Sequence, residues 1–243
     1  MTALLPTEAL KLRTLRTTWI VAALAVAVSA AIGFAAVRIS IDAHEPLRLA
    51  AVAGTPAQAM WFLAVVSAVL ASAGEFQHRT IRTTLLAVPR RDRVLAAKSA
   101  VAAAYGGLLV LLGTAAAAVA GLITAAASGA SFTGTGVSGG HLVGTVAVGA
   151  VFAVLATGLG MITRSTAIAV GTVLLWRFVG EGILPAVLHD DGLTRWTPNG
   201  SAGALVGLGA HPLAPAAAGL LLAGYTVTIS AIAAALFLRR GPT

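Results

Sequence analysis

The 243-residue chain has no cysteine. That excludes disulfides, thiolate metal sites and a cysteine nucleophile. Charge is scarce: Asp, Glu, Lys and Arg together make up 10% of the residues, where a soluble domain carries about 25%. Lysine is almost missing, with only Lys11 and Lys98. The five histidines (His44, His78, His141, His189, His211) are scattered and form no H-E-x-x-H or related metal spacing. His189, Asp190 and Asp191 adjoin one another, and the polar start of a solvated loop accounts for them. There is no G-x-x-x-x-G-K-[ST], so the chain has no phosphate-cradling loop and cannot hydrolyse ATP by that route. If ATP drives it, another chain supplies the ATPase. Gly136-Val-Ser138-Gly-Gly-His141 superficially pairs a serine with a histidine. Both lie in one glycine-rich loop with no orienting acid nearby in sequence, so a flexible linker explains them better than a nucleophile does.

Apolar residues make up most of the chain, at 58%, with a mean hydropathy of +0.93. The sequence is that of an all-α integral membrane protein. The excess of arginine over lysine, with abundant alanine and glycine, is the composition of a GC-rich bacterial genome. The net charge of +8 and pI near 11.5 do not indicate nucleic-acid binding, because the positive charge sits at the ends of apolar runs. No helix-turn-helix or RNA-reading motif is present.

Six segments reach the roughly 20 apolar residues that a membrane crossing needs. They cover about 19–37, 56–73, 99–127, 142–163, 167–188 and 213–238, the second short and the third long. The first is expected to be a span and not a cleaved signal, since its leader (Glu8, Lys11, Arg13, Arg16) is long and mixed in charge. Basic residues set the orientation. With the N-terminus inside, Lys11, Arg13, Arg16, Arg79, Arg82, Arg90, Arg91, Arg93, Lys98, Arg164, Arg239 and Arg240 fall on the inner side. Only Arg38, Arg48 and Arg195 fall outside, and Arg177 lies within a span. This asymmetry predicts a multi-pass protein of the cytoplasmic membrane with both termini cytoplasmic, and it makes 74–98 the one substantial cytoplasmic loop.

Three further features stand out. Leu4 to Thr18 reads as an amphipathic interfacial helix, with Leu5, Leu12, Leu15 and Trp19 interleaved with Lys11, Arg13 and Arg16. A basic flank that only fixes topology accounts for the same residues. In the outer loop 189–212, the polar HDDGLTRWTPNG gives way to the apolar SAGALVGLGA, which is too short to cross. A re-entrant segment before the last span fits it. Arg177 and Glu181 stand in the middle of the fifth span at i,i+4 spacing. As an intramembrane polar pair they either fix packing or face a substrate path.

The stretch GEFQHRTIRTTLLAVPRRDRVLAAK (74–98) carries a family signature. A short second span is followed by Glu75, then Thr80, the pair Leu85 and Leu86, Pro89, Arg91 or Arg93, and Lys98 before the third span. With the lead-in Glu8-x-x-Lys11, Arg16 and Trp19, six spans and a re-entrant stretch, the whole chain resembles the membrane subunits of bacterial ABC-2 type exporters. Many members have glycine before the threonine, where this chain has Arg79. The resemblance implies a coupling helix after span two that docks on a cytosolic ABC ATPase, with Glu75, Phe76, Arg79, Thr80, Arg82, Leu85 and Pro89 as coupling residues. It also implies a second permease subunit, identical or not, ATP and Mg on the partner ATPase with no cofactor in this chain, and an amphipathic substrate such as a drug, antibiotic, peptide or lipid. Membrane lipids are the remaining expected partners. Two rival readings are a membrane-embedded lipid-modifying enzyme, for which the spans offer only Arg177 and Glu181, and a non-transporting sensor or assembly subunit.

Overall fold

The computed structural model describes residues 4–88, 90–133, 139–208 and 213–239. No strand occurs among them. Helix α1 (Leu4–Thr14) leads into α2 (Arg16–Asp42). Then come α3 (Leu49–Gly54), α4 (Ala57–Gln77), the short α5 (Thr80–Ala87), and the long α6 (Arg91–Ala127). The rest is α7 (Gly139–Thr163), α8 (Thr166–Leu175), a π-helical stretch (Trp176–Ile183), α9 (Leu184–Leu188), a 3-10 turn (Asp191–Trp196), α10 (Pro198–Leu205) and α11 (Pro215–Arg239). Among the described residues six stretches are long and apolar enough to cross a membrane: α2, α3 with α4, α6, α7, α8 through α9, and α11.

Close helix approach explains the small-residue content of the spans. Helix α6 is central and packs on α2, α4 and α7. A Cβ on Gly33 of α2 would meet the Ala117 carbonyl of α6, and one on Gly106 of α6 would meet the Gly149 carbonyl of α7. Alanine at either position forces these helices apart. The main core gathers where α2, α4, α6 and α7 meet, around Met60, Trp61, Leu109, Val110 and Phe152. Trp61 and Phe152 pack edge to face at 6.0 Å, and the Trp61 indole donates to the Thr145 carbonyl at 3.1 Å. A buried indole thus keeps its hydrogen bond.

Both described ends of the chain lie at the end of the bundle that carries the arginines of 79–93. There Arg91 donates to the Phe237 carbonyl at 3.0 Å and so ties the start of α6 to the last turn of α11. At the opposite end, α10 packs against α11 and α7 and buries Ser201 to Ala204. It is a turn of chain folded back into the bundle, capped by the Thr197 hydroxyl accepting from the Gly200 amide at 3.0 Å. Residues 209–212 lie outside the described set.

The interfacial helix departs from its expected extent. Helix α1 stops at Thr14, and Leu15 is extended (φ −76°, ψ 121°) before α2 begins. Its two faces are distinct, as an interfacial helix requires, with the apolar one turned away from the bundle toward lipid. Glu8 is buried, while Leu5, Leu10 and Leu15 are exposed. The inward face of α1 is the charged one because its partners are charged.

Candidate functional site

Glu8 and Lys11 are one turn apart on α1, so they share a face. That face lies against the last turn of α4, which carries Glu75, and the second turn of α6, which carries Lys98. The four make a closed cluster. Lys11 Nζ lies 2.6 Å from Glu8 Oε1 and 3.2 Å from Glu75 Oε1. Lys98 Nζ lies 3.0 Å from Glu8 Oε2 and 2.7 Å from Glu75 Oε1. Two carboxylates face two ammonium groups, so the cluster is neutral. Both lysines of the chain are in it.

Burial penalises charge here, and the opposite charges overcome that penalty. Burial pushes the Glu8 carboxyl up, yet Lys98 and Lys11 together hold it below its ordinary value. Burial pushes Lys11 down, yet the bond to Glu8 and the charge of Glu75 hold it above its ordinary value. Glu8 and Lys11 are thus held charged by the opposite charges around them.

The cluster reaches the short surface helix directly. Helix α4 ends at Gln77, and Arg79 adopts a left-handed conformation (φ 58°) that reverses the chain into α5. The Thr80 hydroxyl donates to the Glu75 carbonyl at 3.4 Å across this turn. One helical turn later, Thr84 Oγ1 accepts from Lys11 Nζ at 3.0 Å. A displacement of α5 therefore acts on Lys11, and through it on Glu75 of α4 and on Glu8, which is paired with Lys98 of α6.

The residues singled out in the sequence divide by position. Glu75 is part of the ion cluster. Phe76 is buried in a satellite core with Ile81, Met161, Ala233 and Phe237. Its ring meets Phe237 edge to face at 6.4 Å, and the Arg164 guanidinium lies 5.1 Å from its centroid. Leu85 packs on the same core. Phe76 and Leu85 thus anchor α5 to the bundle. Arg79 and Thr80 are exposed. Arg82 belongs to α5, but its side chain is outside the described set, as is Pro89. Leu86 is 86% exposed on α5 and is the apolar side chain that this helix offers outward. The sequence hints at Leu86 only as half of a leucine pair, and nothing local marks Thr84 as a partner of Lys11, 73 residues away.

Arg177 and Glu181 do meet, at 3.8 Å. The helix carrying them is not α-helical there. In a π-helix residues i and i+5 are bonded neighbours, so Glu181 aligns with Trp176, whose indole donates to Oε1 at 3.2 Å. The same oxygen accepts the Asn199 amide of α10 at 3.2 Å. Glu181 is 5% exposed and pins the folded-back turn, while Arg177 is 39% exposed.

A cavity of about 550 Å³ lies beside the ion cluster. It is bounded by α1, α4 and α6, with Thr157 of α7 and Thr166 of α8 at its edge. Among the described residues no group of three or more His, Cys, Asp or Glu is placed to hold a metal ion.

Six apolar spans, and a short surface helix joined to them through buried charge, define a multi-pass integral membrane protein with a built connection from one end into its core. A family model described as ABC-2 family transporter protein matches residues 4–180, a range that includes all four cluster residues and α5. The chain belongs to the ABC-2 transporter family and is a permease subunit of an ABC transporter, which works with an ABC ATPase subunit. No curated protein matches the chain significantly.

Proposed function

We propose that the chain is the permease half of an ATP-driven exporter in a bacterial cytoplasmic membrane. Both termini and α5 are on the cytoplasmic side, where the basic residues concentrate. Two permease subunits, identical or paired with a homologue, assemble with two ATPase subunits that hold ATP and Mg. The substrate is amphipathic: a drug, an antibiotic, a peptide or a lipid. Helix α5 is the docking element for the ATPase, presenting Arg79, Thr83 and Leu86 outward, while Phe76, Ile81 and Leu85 hold it on the bundle.

The single observation that carries this reading is the bond from Lys11 to Thr84 at 3.0 Å, set within the ion cluster. A surface helix that served topology alone would need only arginines at its ends. This one is wired to α1, α4 and α6 at a single point, so a push from an ATPase on α5 is delivered to three helices at once. Glu75 is the junction of that wiring. Glu75→Lys in the reconstituted complex is expected to abolish export and substrate-stimulated ATP hydrolysis while leaving the basal hydrolysis of the ATPase subunit. Retention of both export and stimulation by this variant would show that the cluster does not couple the two subunits.

A further inference from the structure

The ion cluster balances charge but does not fill every hydrogen-bonding valence. An ammonium group has three N–H donors, and a carboxylate has two accepting oxygens. Lys11 uses all three donors, on Glu8, Glu75 and Thr84. Lys98 reaches two acceptors, Glu8 Oε2 and Glu75 Oε1, leaving one N–H without an acceptor among the described residues. Glu75 Oε1 serves both lysines, while Glu75 Oε2 is buried and has no partner. One spare donor and one spare acceptor therefore stand on adjacent side chains, and both side chains line the 550 Å³ cavity. The terminal torsion of a glutamate is soft, so the carboxylate can be shared between the lysines and a ligand in the cavity that Glu75 lines.

Two features restrict what can sit there. A group that meets a donor and an acceptor together must itself both accept and donate, which a hydroxyl does and a bare carboxylate or ammonium does not. The cluster is also already neutral, so a ligand with net charge would bring an uncompensated ion to a low-dielectric boundary. Beyond this polar corner Leu70, Ala71, Val101 and Ala102 give the cavity an apolar wall along α4 and α6, interrupted by Ser67, Ser72 and Tyr105. The volume is that of an ordinary small-molecule pocket. We propose that this cavity binds a neutral amphiphile through a hydroxyl-bearing head seated between Lys98 and Glu75, with its apolar body along α4 and α6. This deepens the exporter reading by naming a ligand class, and it rests on that reading only for the ligand being cargo.

The test uses the full-length permease in nanodiscs and three photoactivatable probes of one chain length: a monoacylglycerol, an alkylamine and a fatty acid. Cross-links are mapped by mass spectrometry. The monoacylglycerol is expected to label the cavity walls at least tenfold more than either charged probe. Ala71→Trp, which fills the cavity one turn from Glu75 without altering charge, is expected to abolish that labelling. Lys11→Met leaves the cluster with a net negative charge, and the preference is expected to move to the alkylamine. Equal labelling by the three probes, or labelling that survives Ala71→Trp, would overturn the site and leave the spare valences to water. Adding the ATPase subunit and ATP then separates two sources of the same chemistry, because a cargo is released on turnover and a resident lipid is retained. The binding readout needs no ATPase, so failure of export leaves it intact, and failure of binding leaves the coupling role of α5 to its own experiment.

Discussion

The ion cluster and the Arg177–Glu181 pair both bring opposite charges together in this protein, and they are built differently. The cluster of Glu8, Lys11, Glu75 and Lys98 draws on three helices distant in sequence, and every charge is matched at 3.2 Å or less. The pair Arg177 and Glu181 comes from one span, is 3.8 Å apart, and leaves Arg177 39% exposed. In the first, ion pairing is the interaction. In the second, the carboxylate is held chiefly by neutral donors, Trp176 and the Asn199 amide, and the arginine is peripheral. Like residue types at two sites therefore carry different weight: the cluster joins elements, whereas the pair mainly positions Glu181 to cap a turn.

The largest effect should come from breaking the closed cluster. Lys98→Met leaves two buried carboxylates with one ammonium group, and losing one partner of a buried pair costs about 3–5 kcal/mol. A correspondingly large drop in thermal unfolding temperature in detergent is expected. An unchanged melting temperature would mean that the cluster is not structural.

The same cluster sets a pH window. Glu8 is held below its ordinary value of 4.5, so its contribution is complete above that value and fades as pH falls through the lower native value. Lys11 is held above its ordinary value of 10.5, so its contribution is complete below that value and fades as pH rises through the higher native value. Stability measured against pH should be flat between these limits on this account, and Glu8→Gln should remove the acid limb that Glu8 contributes.

Glu181→Ala should cost less, about 1–3 kcal/mol, because it strips the acceptor from the Asn199 amide and the Trp176 indole. Its signature should be local. Protease cutting within 189–200 should rise before the bundle unfolds. Arg177→Leu should destabilise less than Glu181→Ala, since the Arg177 contact is loose at 3.8 Å and Glu181 keeps its two neutral donors without it. If Arg177→Leu were as damaging as Glu181→Ala, the contrast between the two sites would collapse.

Much of this was legible in the sequence because the bilayer is a strict solvent. The six spans follow from apolar length, and the family likeness follows from Glu75, Thr80, the leucine pair and Lys98. Phe76 was legible as an apolar residue of importance but not as a core residue, because its partners Phe237 and Arg164 come from other helices. The extent of α1 was misjudged for a similar reason. Periodicity runs on past Thr14, and what interrupts the helix is the extended Leu15 (φ −76°, ψ 121°), which no residue pattern marks. The i,i+4 reading of Arg177 and Glu181 assumed an α-helix, while the π-helical winding moved Glu181 onto Trp176.

By itself the sequence determined that the chain has six runs long and apolar enough to cross a membrane and that its basic residues flank them unequally. Those properties depend on composition and local spacing, which a chain carries before it folds. Only the tertiary structure decided that both lysines meet both of their acids at one point, that Thr84 joins that point, and that Glu75 keeps one oxygen unspent. Such facts depend on where α1, α4, α5 and α6 cross. A hydrogen bond acts over about 3 Å, and no local pattern places residues 8, 75 and 98 within that reach.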